Sequence, residues 1–315
     1  MVKRVMGYVN YSNKGWLHNT FSWWGTALPR CFLRIVIATT FCAFCELVVW
    51  AEFWEWTTGL RMQIIGAKLD PFGHTVLGSL IGFLLVVRMN GSLARYWEGR
   101  SHWGVIVNCS RNLARIANAY TNSSRELAGL LASYAISLRQ SLRGLRDLSE
   151  AERFLPESLR QVADRFGNQP TAIAAAMSHW IARQAREGQL NSALTRHAEA
   201  LVAEIVSAQG GCEKIQKTPL PFAYVSLTKL LITVYLATLP LVLCTRFGWW
   251  SPLIMAVLSL GMFGMEEASV EIEDPFGEQP NCIDLEVLGI TIMRDTGQLS
   301  GFGEMLEAEQ APIRT

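Results

Sequence analysis

Length, composition and charge restrict the class of this protein before any motif is considered. The chain has 315 residues, of which 50% are hydrophobic and only 17% are charged, whereas soluble domains carry about 25% charged residues. The formal net charge of +1 gives no bulk electrostatic reason to expect nucleic acid as a partner. The composition therefore favours a membrane protein with a soluble portion.

The N-terminal 30 residues are basic and contain no acidic side chain. Their charges are Lys3, Arg4, Lys14 and Arg30. The segment lacks the apolar run and the small-residue cleavage site of a signal peptide. We expect residues 1–30 to form a cytoplasmic or interfacial segment.

Four apolar stretches follow along the chain, at residues 31–50, 72–87, 222–244 and 249–265. A bilayer core requires about 20 helical residues, so the first and third are long enough to cross it. The second and fourth cross only if flanking residues extend the helix, and are otherwise typical of buried soluble helices.

Short links join these stretches into two predicted pairs of transmembrane helices, at residues 31–87 and 221–270. The basic N-terminal segment orients the first pair. This places the N-terminus, the middle region and the C-terminus on the cytoplasmic side of the cell's inner membrane.

Three charged residues lie within the predicted spans. Arg34 and Glu46 interrupt the first span, and Lys229 is the one charge in the third. Charge inside a bilayer is costly, so each side chain should face protein, water or the interface. Snorkelling toward the interface explains Arg34 and Glu46 equally well.

Residues 88–220 are more polar and show helical periodicity at 95–120, 125–145, 171–186 and 190–208. Pro156, Pro170 and the Gly210-Gly211 pair are predicted breaks. We see almost no alternating strand pattern, and therefore expect a cytoplasmic helical bundle. Residues 271–315 form the predicted C-terminal cytoplasmic segment, which we expect to be loosely ordered after Gly297.

The sequence carries no recognisable catalytic or metal-binding motif. Its five histidines lack ligand spacing, and it contains no P-loop, G-x-S-x-G or G-x-G-x-x-G motif. Five of the seven cysteines lie in apolar stretches, where small buried residues are more typical than disulfides or metal ligands. We therefore expect neither an enzyme nor a bound metal or cofactor.

Short motifs recur in a particular order along the chain. Residues 94–100 read ARYWEGR, residues 211–215 and 218–224 read GCEKI and TPLPFAY, and residues 271–277 read EIEDPFG. In this order they resemble the bestrophin family, its bacterial members above all, over residues 20–295. The residues taken as family motif are Arg95, Tyr96, Trp97, Glu98, Arg100, Trp103, Asp274, Pro275 and Phe276.

The resemblance implies an all-α membrane protein with four transmembrane helices per subunit, assembled as a homopentameric ion channel. Its partners would be the lipid membrane, identical subunits and small permeant ions, with no nucleic acid. The second helix of each subunit would line a narrow neck, and a second constriction would lie at the cytoplasmic end. Tyr96, Trp97, Arg100 and Trp103 are expected to pack subunits together.

Alignment with the family places the neck on Ser79, Phe83 and Val87. These residues are spaced i, i+4 and i+8, and so share one helical face. Rings of apolar side chains can gate by dewetting, although ordinary packing residues would give the same pattern. Ser79 replaces a bulky apolar residue and should make its level wider. Gly78 and Gly82 form a G-x-x-x-G pattern that permits close helix approach.

The resemblance places the cytoplasmic aperture on Ile215. Pro219 and Pro221 follow it and predict a bend, because proline disfavours a continuous helix. A ring of isoleucines would form a second hydrophobic barrier. A buried isoleucine at a helix end is an equal alternative.

Animal bestrophins bind calcium with acidic residues after the Pro-Phe-Gly motif. Residues 278–286 lack such a cluster here, and calcium requires roughly six to eight oxygen ligands. Asp284 and Glu286 are more typical of helix caps or solvated charges. We therefore expect no calcium activation.

The charge pattern leaves the permeant ion open. Glu266, Glu267, Glu271 and Glu273 could form an acidic ring or an exposed helix face, and the basic residues in 88–115 could attract anions or pair with those acids. We expect chloride or another monovalent anion. The alternatives are a cation-selective (sodium) channel of the same family, a secondary transporter and a membrane-anchored scaffold.

Overall fold

The computed structural model describes residues 3–5, 8–10, 22–23, 25–58 and 71–310. Within them the protein is helical except for one short antiparallel hairpin, in which β1 (Lys3–Val5) pairs with β2 (Tyr8–Asn10). The helices are α1 (Leu28–Thr58), α2 (Pro71–Tyr120), α3 (Ser124–Leu142), α4 (Glu157–Arg165), α5 (Gln169–Arg186), α6 (Ser192–Lys217), α7 (Phe222–Thr238), α8 (Pro240–Phe247), α9 (Ser251–Glu273) and α10 (Leu285–Gln310). Short 3-10 turns lie at Ser149–Ala151 and Gly248–Trp250.

The chain forms two compact units. The first comprises Met1–Tyr96 and Pro219–Cys282, and the second comprises Trp97–Thr218 and Ile283–Thr315. The predicted membrane and cytoplasmic segments change at residues 87/88 and 220/221, close to these boundaries. Helix α2 contributes its first half to one unit and its second half to the other.

In the first unit, α1, the start of α2, α7 and α9 run in alternating directions. The ring of His74 at the start of α2 meets the hydroxyl of Thr238 at the end of α7, 3.0 Å apart. Arg34 at the start of α1 reaches Glu267 near the end of α9. The core of this unit is apolar, and its fully buried members include Cys42, Ile81, Leu85 and Met255.

Three helical stretches of the described residues have the length and composition to cross a membrane: Leu28–Ala51, part of Pro71–Tyr120, and Phe222–Glu273. The last has 52 residues, about 78 Å of helix, against a hydrocarbon core of about 30 Å. It is interrupted at Gly248, where φ is +53°, and α9 returns antiparallel to α7. Helices α7 and α9 of this stretch lie at the positions of the third and fourth predicted spans.

The second unit is a conventional helical bundle built on α3. Leu131, Leu138 and Ile173 are fully buried, and the Tyr134 hydroxyl donates to Gln209 Oε1 at 3.0 Å. The predicted breaks at Pro156 and Pro170 are confirmed, because Pro156 immediately precedes α4 and Pro170 lies in the first turn of α5.

Two sequence predictions for this unit are wrong. Gly210-Gly211 does not break the chain, since α6 continues to Lys217. A Cβ on Gly211 would lie 2.2 Å from His102 Nε2, so this glycine provides space for a ring rather than a turn. The loosely ordered tail expected after Gly297 is wrong as far as Gln310, because α10 continues to that residue; residues 311–315 lie outside the described residues.

Candidate ion pathway

The predicted neck residues lie together on the open side of α2. The Phe83 side chain is 65% exposed, Val87 is 43% exposed, and Ser79 is exposed one turn earlier, with its hydroxyl donating to Thr75 O at 2.9 Å. Ile81 and Leu85 on the opposite side are buried in the core. The protomer therefore presents an uncovered apolar stripe, here called the α2 stripe and defined as Ser79, Phe83 and Val87.

The two glycines beside this stripe differ in their surroundings. A Cβ on Gly78 would lie 2.8 Å from the Tyr235 hydroxyl, whereas a Cβ on Gly82 would meet nothing within 4 Å. Gly78 thus permits close approach of α7 within the protomer. Gly82 leaves open space on the exposed side.

Immediately after Val87, the same helix buries a cation. Arg88 is 0% exposed, with its Nη1 at 3.4 Å from Glu266 and its Nη2 at 3.8 Å from Glu273. It belongs to a charged cluster in which basic and acidic side chains from α1, α2, α7 and α9 meet. The charged cluster comprises Arg30, Arg34, Arg88, Lys229, Glu266, Glu267, Glu271 and Glu273.

The charged cluster tests the interpretations of the acidic residues that follow the fourth apolar stretch. Glu266, Glu267 and Glu271 are buried, so the alternative of an exposed helix face is wrong. Arg30 lies 3.7 Å from Glu271, and Arg95 donates from Nε to the Glu273 carbonyl at 2.8 Å. Of the basic residues in 88–115, Arg88 pairs with two of these acids, Glu266 and Glu273, as the second interpretation predicts.

The charged cluster also contacts the bend between α6 and α7. The Leu220 backbone N–H, between Pro219 and Pro221, donates to Glu273 Oε1 at 3.1 Å. The predicted bend is thus tied to the end of α9 by a charge-assisted hydrogen bond.

The other charged residue of the first span behaves differently. Glu46 is buried on α1, so snorkelling does not describe it. Its Oε2 atom has no hydrogen-bond partner among the described residues, and a Cβ on Gly248 would lie 3.8 Å from its Oε1. Arg34, in contrast, donates to Glu267 at 3.0 Å.

Ile215 lies near the end of α6 and is only 2% exposed. Assembly can only cover more of a protomer's surface, so this side chain is not available to an axis in this conformation. The protomer favours the alternative, a buried isoleucine at a helix end.

The family-motif residues divide between structural roles. Glu98 accepts from Lys214 Nζ at 2.6 Å, and Asp274 Oδ1 accepts from the Phe276 backbone N–H at 3.3 Å. Trp103 is 0% exposed and packs within its own protomer, which corrects the expectation that it packs subunits together, whereas Trp97 is 63% exposed. Tyr96 lies at the end of the part of α2 that belongs to the first unit. Pro275 lies two residues after the end of α9, and Arg100 is exposed.

All seven cysteines are buried free thiols. Burial raises the pKa of Cys212 to about 12 and that of Cys282 to about 11, so both remain protonated at neutral pH. No group of three or more potential metal ligands occurs among the residues that the structure describes. Asp284 Oδ1 accepts from the Val287 N–H at 2.9 Å, which confirms its assignment as a helix cap.

The apolar helices and the exposed apolar surface define an α-helical membrane protein. The family model "Bacterial/Fungal Bestrophin protein" matches residues 8–298, and the chain belongs to this family.

Curated relatives and solved structures agree with this assignment. The chain is 30% identical over 293 residues to a voltage-dependent anion channel-forming protein of Mesorhizobium japonicum, covering 91% of each chain. It is 28% identical over 302 residues to one from Nostoc sp., covering 92% of this chain and 93% of the relative. The crystal structure of a bacterial bestrophin homolog from Klebsiella pneumoniae matches with a TM-score of 0.77 at 22% identity, covering 86% of this chain and 98% of that chain.

Sequence reasoning did not identify Glu266 as a shared partner. Arg34, Arg88 and Lys229 all lie within 3.6 Å of its carboxylate. The charges in apolar stretches were the available signal, because a span tolerates them only when they find partners. The particular pairing depends on the helix arrangement.

Proposed function

We propose that this chain is a subunit of a homopentameric channel that conducts monovalent anions passively across the cell membrane. Family membership and the names of the relatives support a channel rather than an enzyme. The proposal includes cytoplasmic N- and C-termini, as the basic N-terminal segment predicts.

The observation that carries the proposal is the α2 stripe. An apolar face in a membrane protomer faces lipid, another subunit or a pore. The α2 stripe is uncovered in the protomer, opposite the buried Ile81 and Leu85, and the family resemblance favours the pore among these three environments. We assign Phe83 and Val87 to two rings of a hydrophobic neck that gates by dewetting, with Ser79 at a wider level.

One helix per protomer cannot enclose such a neck. In this proposal, closed cyclic symmetry supplies the remaining wall from identical copies, and the family resemblance supports five of them. Gly82, with no atom near its missing Cβ, provides space for close approach between copies.

The charged cluster bears on selectivity. A ring of free carboxylates would favour cations, but Glu266, Glu267 and Glu271 are buried beside arginine or lysine. Their burial argues against an acidic ring as a cation-selective element and supports the anion assignment. Ile215 is not part of the proposed pathway because its own protomer encloses it.

A reversal-potential measurement on purified protein in a planar bilayer tests the function. In a potassium chloride gradient we expect unitary currents that reverse near the chloride equilibrium potential. Reversal near the potassium potential would establish the cation alternative. Currents without unitary events would favour a transporter, and absence of current would favour a scaffold.

The assembly is tested separately. Native mass spectrometry should give five times the subunit mass of 35.2 kDa. Any other stoichiometry would contradict the pentamer.

A further inference from the structure

A small cavity opens beside the charged cluster in the first unit. It has a volume of about 150 Å³ and lies between α1, α7 and α9. Its lining combines two cations, one carboxylate and apolar side chains: Arg34, Lys229, Ile232, Thr233, Phe263 and Glu266.

The two cations of this cavity differ in how they are paired, because Arg34 donates to Glu267 whereas Lys229 has only a distant carboxylate within the described ranges. The Lys229 side chain is 55% exposed, and its Nζ lies 3.6 Å from Glu266 Oε1, beyond hydrogen-bond distance. Glu266 is also 3.6 Å from Arg34 and 3.4 Å from Arg88. Arg34 and Arg88 have further carboxylate neighbours in Glu267 and Glu273. Among the described residues, the carboxylate within ion-pair distance of Lys229 is that of Glu266, so Lys229 keeps donors for a further acceptor.

Buried charged groups at and behind the cavity also lack hydrogen bonds to described residues, although they lie within ion-pair distance of each other. Glu266 is buried and lines the cavity, and its Oε1 has no hydrogen bond among the described residues. Arg88, directly behind it, is fully buried with all three side-chain nitrogens lacking a hydrogen-bond partner in the described part of the chain. An anion at the cavity would supply acceptors to Arg34 and Lys229 and leave Glu266 to Arg88.

Exposed apolar side chains flank the cavity along α1 and α7. Leu33 and Ile37 on α1 and Leu230 on α7 are exposed beside the two cations. Ile232 and Phe263 provide apolar walls within the cavity. Basic side chains at the end of a membrane span are well placed to meet phosphate at the level of the headgroups.

We propose that this cavity binds the phosphate group of an anionic phospholipid. Arg34 and Lys229 donate to the phosphate oxygens, and the acyl chains extend along the exposed apolar surface. This inference requires that the chain crosses a membrane but not that it conducts ions.

Native mass spectrometry of the full-length protein, purified in neutral detergent and titrated with phosphatidylglycerol, tests the proposal. We expect Lys229→Gln to weaken phosphatidylglycerol binding about tenfold, the typical effect of losing a charged hydrogen-bond donor. Lys229→Arg should retain binding because it keeps the positive charge. Lys217→Gln is the matched control, since Lys217 is an exposed lysine that pairs with Glu213 in the second unit.

Arg34→Gln provides a second variant from a different helix and should weaken binding in the same direction. Equal binding by wild type, Lys229→Gln and Arg34→Gln would overturn the proposal. Equal affinity for phosphatidylcholine and phosphatidylglycerol would overturn the anionic preference. Binding of inorganic phosphate as tight as that of phosphatidylglycerol would assign the cavity to a free ion and overturn the lipid assignment.

Discussion

The two units of this protein differ in which apolar side chains are exposed and in where charge is buried. In the second unit Leu131, Leu138 and Ile173 are buried, as in any water-soluble bundle. In the first unit Arg88 is fully buried, while its neighbour Val87 and the nearby Phe83 are exposed. Apolar exposure suits lipid or a hydrophobic pore, whereas the buried cation depends on paired carboxylates. Burial in the second unit therefore follows the pattern of a water-soluble protein, whereas the exposed apolar side chains of the first unit follow the pattern of a membrane protein.

The largest effect is expected from breaking the buried charge arrangement. Arg88→Met leaves Glu266 and Glu273 without their buried partner, and loss of one member of a buried pair typically costs about 3–5 kcal/mol. We expect little assembled protein by size-exclusion chromatography. Arg294→Met, at an exposed arginine, is the control and should behave as wild type.

A double variant sharpens this test. Arg88→Met combined with Glu266→Gln removes both charges and should recover part of the lost stability. If Arg88→Met alone melts at the wild-type temperature, the charged cluster does not hold the first unit together.

The next effect concerns the exposed apolar residues. Phe83→Ala should raise unitary conductance severalfold, because a shorter side chain widens a dewetted constriction. Stability should change little, since the ring is exposed in the protomer. Phe44→Ala removes a similarly exposed ring from α1 and should leave conductance unchanged. Equal conductance in Phe83→Ala and wild type would remove Phe83 from the neck.

In the second unit, neighbouring glycines give a matched pair. Gly211→Ala places a Cβ against the His102 ring and should destabilise the protein by about 1–3 kcal/mol through overpacking. Gly210→Ala meets no atom within 4 Å and should stabilise α6 by about 0.5–1 kcal/mol. Thermal denaturation measures both changes. Shifts of the same sign would contradict this account of α6.

The smallest effect depends on pH. The pKa of Cys212 is raised from 9.0 to about 12 by burial, so above pH 9 the unfolded state loses its proton first. The stability contributed by the neutral thiol is present below pH 9 and is lost as the pH rises toward 12. The stability difference between wild type and Cys212→Ala should therefore shrink by up to about 1.4 kcal/mol per pH unit. Parallel denaturation curves across this range would contradict the shift.

Much of the helical architecture could be predicted from sequence because its signals are local. Apolar length located the membrane helices, and Pro156 and Pro170 marked helix starts through their fixed φ and missing N–H. The break predicted at Gly210-Gly211 was wrong because Gly211 makes room for the His102 ring, and His102 lies far away in sequence. The order of α10 after Gly297 likewise depends on packing against α3.

The candidate site was less predictable than the fold. The spacing of Ser79, Phe83 and Val87 placed them correctly on one face, because helical periodicity is a local property. The burial of Ile215 and Trp103 depends on tertiary contacts that no spacing reveals. Glu266 is a shared partner because α1, α2 and α7 each bring a cation to it, and this convergence is not a local property of the sequence.

The most direct test of the central claim is chemical access to the α2 stripe. A charged, water-soluble thiol reagent should block the current of Phe83→Cys channels, because we place this position in the ion pathway. The same reagent should leave the current of Phe44→Cys channels unchanged, and wild type should also be insensitive since its thiols are buried. Block at Phe44→Cys but not at Phe83→Cys, or no block at either, would contradict the account.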